Sequence, residues 1–183
     1  MRFSLLFLFV SVLALNAACS QKRDVAANSA HPARTAAGKT YFQPKPLTGK
    51  PDEFPVRKTD AEWHKILTPA QYYILREDGT ERPFSNKLYN NHVAGSYYCA
   101  ADHNLLFTSD TKFDSGTGWP SFFAPATDNS VKVDSDTSFG MSRDEIVCAK
   151  CGGHLGHVFD DGPAPTHQRY CMDGDALVFE NKK

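Results

Sequence analysis

A chain of 183 residues, 41% of them hydrophobic, has room for one ordinary domain and enough apolar side chains to pack its core. Twenty basic and 21 acidic side chains leave a net charge of −1, which removes the electrostatic case for nucleic acid as a partner. Glycine and proline are scattered without an internal period, which excludes repeat architectures.

The chain opens with Met1-Arg2 and then residues 3–15, apolar apart from two serines. That run suits a signal-peptide core and is too short to span a bilayer. It leads into Leu15-Asn-Ala-Ala-Cys19-Ser20, which resembles a bacterial lipoprotein processing site with Cys19 as the lipidated residue. Asn16 departs from the aliphatic or small residue usual there, and ordinary signal cleavage nearby is the alternative. The expected organisation is a signal peptide over 1–18, a tether over 19–40 and a domain over 41–183. The protein is then exported, to the periplasm or cell envelope, with a membrane anchor through Cys19. The tether is rich in Ala, Ser, Asn, Lys and Arg, and such a segment buries too little to offset its ordering entropy.

Thr59-Asp-Ala-Glu62 has the pattern of a capping box, opening a short helix with Trp63, Ile66 and Leu67. Thr68-Pro69 starts a second helix through Arg76, and Asp78-Gly79 ends it. After that, β-prone runs at 96–99, 105–108, 131–133, 145–148, 157–159 and 176–179 are separated by Gly, Asp, Asn, Ser and Pro. The expected fold class is mainly β: a small antiparallel sheet or barrel-like domain with short helices at its N-terminal side.

Four groups of residues carry chemistry. In Arg169-Tyr-Cys171-Met-Asp173 an extended chain puts Arg169, Cys171 and Asp173 on one face. One charge ~6 Å from the sulfur, at an effective dielectric of ~20, shifts its ionisation by ~2.8 kcal/mol, about two pKa units. Arginine and aspartate at equal range would nearly cancel, so Asp173 pairs with Arg169, turns away or carries a proton. Cys171 is a reactive thiolate on this reading and a buried inert thiol on the plain one. In Ser115-Gly-Thr117-Gly-Trp119-Pro120 the glycines allow a tight backbone and the proline keeps Trp119 extended, which can present an indole at a pocket wall. The alternative is that Trp119 is core.

Cys148-Ala-Lys-Cys151 has the spacing of a metal knuckle, and the upstream partner is Cys99-Ala-Ala-Asp102, with aspartate in place of a second cysteine. Carboxylate ligates zinc, so Cys99, Asp102, Cys148 and Cys151 make a candidate four-coordinate zinc site. Disulfides among these cysteines are the alternative in an oxidising compartment. His154 and His157 are candidates for proton transfer, by one of them at most, and Asp161 can orient a histidine or pair with Arg169.

Taken together, Gly79-Thr-Glu-Arg-Pro-Phe84, Phe113-Asp-Ser-Gly-Thr-Gly-Trp-Pro-Ser-Phe122, the stretch from Cys148 to Pro163, and Arg169-Tyr-Cys171 resemble the B-type peptide methionine sulfoxide reductases. The resemblance runs from about Trp63 to Phe179. It implies a β-rich fold and reduction of the R epimer of methionine sulfoxide in oxidised proteins and peptides. Cys171 takes the nucleophile's position and Trp119 that of an indole against the substrate methyl. His154, His157, Asp161 and Arg169 match the polar side of the pocket. A cysteine sulfenic acid follows, regenerated by a thiol reductant of thioredoxin-like type.

Three positions depart from the family. Asp173 stands where many members carry asparagine, which puts a substrate-binding amide in doubt. Asp102 replaces a zinc cysteine. Thr117 replaces the resolving cysteine of many members, so recycling uses Cys99, Cys148 or Cys151, or an external reductant acting on Cys171; the external route is the expectation. Two other classes are open to this sequence. One is a non-catalytic exported lipoprotein module, stapled by zinc or disulfides, that binds oxidised or unfolded proteins. The other is a thiol–disulfide oxidoreductase using Cys148 and Cys151, for which the helix-capping context is missing.

Overall fold

A computed structural model describes residues 34–36, 38–50, 52–136 and 143–182. The expected signal peptide, Cys19 and the tether through residue 33 lie outside the described residues. Within the expected tether, β1 (Arg34–Ala36) pairs antiparallel with β2 (Lys39–Tyr41). In this pair Thr35 is in register with Thr40 and Arg34 with Tyr41. β3 (Lys45–Pro46) follows.

Both helices begin where their caps predict. Thr59 precedes α1 (Asp60–Ile66), and its backbone N–H donates to Glu62 Oε2 at 2.7 Å. Thr68 precedes α2 (Pro69–Glu77), where Gln71 N–H donates to Thr68 Oγ1 and Thr68 N–H to Gln71 Oε1. Asp78, in the left-handed conformation, closes α2. Trp63, Leu67, Ile74 and Leu75 carry the buried faces of this helical segment into the core.

Nine further strands are β4 (Gly95–Cys99), β5 (Leu105–Thr108), β6 (Lys112–Phe113), β7 (Ser121–Phe122), β8 (Val131–Asp136), β9 (Arg143–Cys148), β10 (His154–Phe159), β11 (Arg169–Met172) and β12 (Leu177–Asn181). The protein is mainly β, as expected. Apart from the β1–β2 pair, the described strands divide between two sheets: a seven-stranded one in the order β3-β8-β9-β10-β11-β7-β6 and a three-stranded one in the order β12-β4-β5. The larger sheet is mixed, because β3 runs parallel to β8.

Aromatic packing joins the sheets. Phe107 of β5 stacks on Phe122 of β7 with centroids 4.4 Å apart, and Tyr97 of β4 meets Phe122 edge-on at 4.9 Å. Tyr170 of β11 closes on Phe107 at 5.7 Å. Each ring is fully buried, and burying one contributes about 2–3 kcal/mol. The consequence for the site lies in β11. Tyr170 and Met172 are locked into the core, so the alternation of a strand turns Arg169 and Cys171 to the other, partly exposed face.

Candidate active site

Cys171 lies between two strands that present chemistry on its own face. It pairs with His157 of β10 and with Ser121 of β7. Directly opposed residues of an antiparallel pair hold their Cβ atoms about 4.5–5.5 Å apart on one side of the sheet, so the His157 imidazole is the thiol's cross-strand neighbour. Gly156 permits the close fit. A Cβ there would meet Cys171 O at 2.1 Å, and its φ of 142° lies where side chains are rarely tolerated.

Arg169 flanks the sulfur on the same face. Its guanidinium lies over the Phe159 ring, 4.3 Å from the centroid, and grips Asp161 in two-pronged fashion, Nε to Oδ1 at 2.7 Å and Nη2 to Oδ2 at 2.9 Å. Asp173 turns away from this pair. β11 stops at Met172, the alternation breaks, and Asp173 is buried, with Oδ1 accepting the Glu81 N–H at 2.9 Å. Of the three arrangements open to Asp173, the structure shows the one in which it turns away from Arg169. Burial pushes the Cys171 thiol up, and this outweighs the lowering by the Thr117 hydroxyl and Arg169; the Asp173 charge adds to the rise. The resting thiol holds its proton.

The Trp119 loop packs beside the sulfur. Thr117 Oγ1 lies 3.9 Å from Cys171 Sγ, and Ser115 Oγ bridges Thr117 Oγ1 at 2.8 Å and Ser121 Oγ at 2.7 Å. Trp119 is partly exposed rather than core, and its indole N–H donates to Glu81 O at 3.2 Å.

The two histidines differ. In a regular strand, residues three apart face opposite ways, but a bulge in the β9–β10 pairing between His154 and Gly156 brings the rings together, centroids 5.5 Å apart. His154 is 3% exposed. Its Nδ1 meets Glu145 Oε1 at 2.6 Å, and its Nε2 lies 3.7 Å from Asp173 Oδ2. Burial works against the imidazolium, but the Asp173 and Glu145 carboxylates outweigh it and hold the pKa up at about 9. His154 thus lies buried between two carboxyl groups that favour its protonated form, behind the face that carries Cys171 and His157.

The four knuckle residues also converge. Ligand atoms of Cys99, Asp102, Cys148 and Cys151 all lie within 4.8 Å of one another. No two sulfurs are bonded: Cys99 Sγ and Cys151 Sγ are 3.8 Å apart, and Cys148 Sγ is 3.3 Å from Asp102 Oδ2. With Zn–S bonds of about 2.3 Å, the edge of a tetrahedron is about 3.8 Å, so the donors fit a zinc ion. The Ala101 N–H and the Asn104 amide point at the sulfurs of Cys99 and Cys148 at 3.4 and 3.7 Å, as supports of thiolate ligands do. The cluster could hold zinc. All three cysteines are buried, which argues against thiol exchange by Cys148 and Cys151.

Residues 67–181 match the profile described as the SelR domain. The chain belongs to the SelR-domain family. It is 55% identical over 128 residues to a peptide methionine sulfoxide reductase MsrB of Methanosarcina barkeri, covering 70% of this chain and 90% of that protein. To the protein of the same description from Agrobacterium fabrum it is 57% identical over 125 residues, 68% of this chain and 93% of the relative. A third, from Leptospira interrogans, is 54% identical over 129 residues, 70% and 98% of the two chains.

Within this SelR domain, Cys171, His157, Arg169, Asp161 and the Trp119 loop come together around one face, while His154 and Asp173 lie behind it. Three contributors were missed in the sequence. Glu145 reaches His154 across a strand pair, and nothing local signals that contact. Phe159 lies under Arg169, where its spacing from Asp161 gave no hint. Glu81 sits inside a motif that was noticed, but nothing in the sequence gives it a task. The structure gives it four hydrogen bonds.

Proposed function

We infer that this chain is a peptide-methionine (R)-S-oxide reductase, which returns methionine-R-sulfoxide in oxidised proteins and peptides to methionine with the help of a thiol reductant. The observation that carries the mechanism is the face shared by Cys171, His157 and the Arg169–Asp161 pair beside the Trp119 loop.

In the proposed reaction Trp119 receives the substrate methyl group, and Cys171 Sγ attacks the sulfoxide sulfur. Because burial keeps the thiol protonated, its proton must leave during attack. His157 takes it and delivers it to the sulfoxide oxygen, while Arg169, oriented by Asp161, steadies the developing negative charge. The substrate S–O bond breaks, a cysteine S–OH bond forms, and the thiol hydrogen ends on the transferred oxygen. Methionine leaves as a neutral thioether. His154 and Asp173 serve this face from behind, as a fixed charge pair.

The sulfenic acid is proposed to condense with an external thiol, releasing water, and a second thiol of a thioredoxin-like reductant frees Cys171. Thr117 occupies the ground beside Sγ, and the other three described cysteines are buried together, which supports the external route. Cys99, Asp102, Cys148 and Cys151 are proposed to hold a structural zinc ion, which supplies a cross-link and takes no part in the reaction. Export and a lipid anchor on Cys19 remain the reading of the N-terminal sequence; failure of globomycin to accumulate precursor would remove the anchor.

The deciding experiment is dithiothreitol-driven reduction of a methionine-R-sulfoxide peptide by wild type and Cys171→Ser. The variant should lose activity by about a thousandfold or more. Activity that survives the substitution would assign the nucleophile to another residue.

A further inference from the structure

Residues 79–86 take no part in the reaction just described, yet they touch both halves of its site. Glu81 O accepts the Trp119 indole N–H at 3.2 Å, and Glu81 N–H donates to Asp173 Oδ1 at 2.9 Å. The carboxylate spans the turn that follows the nucleophile strand, Oε1 accepting Gly174 N–H at 2.8 Å and Oε2 accepting Asp175 N–H at 3.0 Å. One residue thus bonds to the element that carries the indole and to the chain two to four residues beyond Cys171.

The chemistry of that carboxylate is unusual. It is half-buried, and among the described residues no cation pairs with it. Asp173 and Asp175 repel it as well. A carboxylate in such a place is costly unless its oxygens are used, and here both are spent on backbone N–H groups that have no other acceptor in the turn. A glutamine would set its amide hydrogens against one of those donors. We propose that Glu81 is a positioning residue of the reductase site: its carboxylate fastens the turn behind Cys171 to the loop that anchors Trp119, so that indole and thiol keep a fixed spacing. The proposal rests on the reductase reading of Cys171 and Trp119.

Other bonds hold the far end of this loop without Glu81. Phe84 N–H donates to Gly118 O at 2.8 Å, and the Asn86 amide donates to Asp175 Oδ1 at 2.9 Å. Loss of the carboxylate should therefore loosen the spacing locally rather than unfold the domain.

The test uses the full chain carrying Trp63→Phe, which leaves Trp119 as the one indole of the two in the sequence. Glu81→Gln and Glu81→Ala are compared with that parent. Both should raise KM for a methionine-R-sulfoxide peptide about tenfold with a smaller change in kcat, the pattern of an interaction lost in substrate binding rather than in the transition state alone. Trp119 emission should shift to the red and become more open to acrylamide, while the melting temperature and the rate of Cys171 alkylation by iodoacetamide stay near those of the parent. Parental KM and emission in both variants would overturn the proposal. So would KM, alkylation and melting moving together, because Glu81 would then be a stability residue only. A parent unable to reduce the peptide would remove the reductase reading instead, and the emission comparison would still decide whether Glu81 holds the indole.

Discussion

At the scale of single residues, the proposed external recycling turns on the hydroxyl beside Cys171. Ser121 Oγ donates to Trp119 O at 3.1 Å, which uses its one proton, so it accepts from Ser115. Ser115 Oγ also lies 2.8 Å from Thr117 Oγ1, and that hydroxyl sits 3.9 Å from Cys171 Sγ. Threonine in this position helps a thiolate form but cannot condense with a sulfenic acid. Thr117→Cys would put a second sulfur there, between Gly116 and Gly118, whose left-handed φ values of 71° and 90° describe a turn built around residues without side chains. Closing to the roughly 2.05 Å of an S–S bond asks for about 2 Å of movement. After one turnover without reductant, Thr117→Cys should show a disulfide between positions 117 and 171 by mass spectrometry, and wild type a sulfenic acid trapped by dimedone. An internal disulfide of Cys171 in wild type would refute external recycling.

At the scale of elements, β10 sets the electrostatics of the site. Its bulge buries His154 between Glu145 and Asp173, with Asp78 near Glu145, Glu81 beside Asp173 and the His157 ring at 5.5 Å as the other titratable neighbours. A histidine pKa raised from 6.5 to about 9 means that the folded state binds this proton more tightly than the unfolded chain. The stabilisation, on the order of 3 kcal/mol, is fully present below pH ~6.5 and is lost as pH rises through ~9. Urea midpoints should fall over that window in wild type and stay flatter in His154→Gln; parallel profiles would show that His154 carries no such charge. The contrast with the sequence reading is physical. Both helices were legible because Thr59, Thr68, Pro69 and Asp78 act within one turn of themselves. Cys171, Arg169 and Trp119 could be singled out as candidates because residue type and local spacing suggest chemistry for them. The two-residue strands β6 and β7 were not, because partners on other strands define them. Asp173 was placed on the wrong side because β11 ends one residue before it, and the Glu145–His154 contact spans a strand pair.

At the scale of the molecule, the candidate zinc cluster lies at the joint between the two sheets. Cys99 ends β4 and Asp102 lies in the turn to β5, both in the three-stranded sheet, whereas Cys148 ends β9 and Cys151 lies in the turn to β10, in the seven-stranded sheet. A tetrahedral ion here cross-links two hairpins that the aromatic core joins elsewhere. Partial burial raises the Asp102 carboxyl, and the neighbouring Cys148 raises it further, so without a cation this half-buried group beside three buried sulfurs works against the fold. Metal removal should therefore cost about 3–5 kcal/mol, the range for breaking a buried charge partnership, and lower the melting temperature by about 10–15 °C. Protein purified without chelators should hold one zinc per chain by elemental analysis. Thiolate suits this borderline-soft ion better than carboxylate, so Asp102→Cys should release zinc to a competing chelator more slowly and melt higher than wild type. Absence of stoichiometric zinc, or a melting temperature indifferent to chelation, would leave the two hairpins joined by side-chain packing alone.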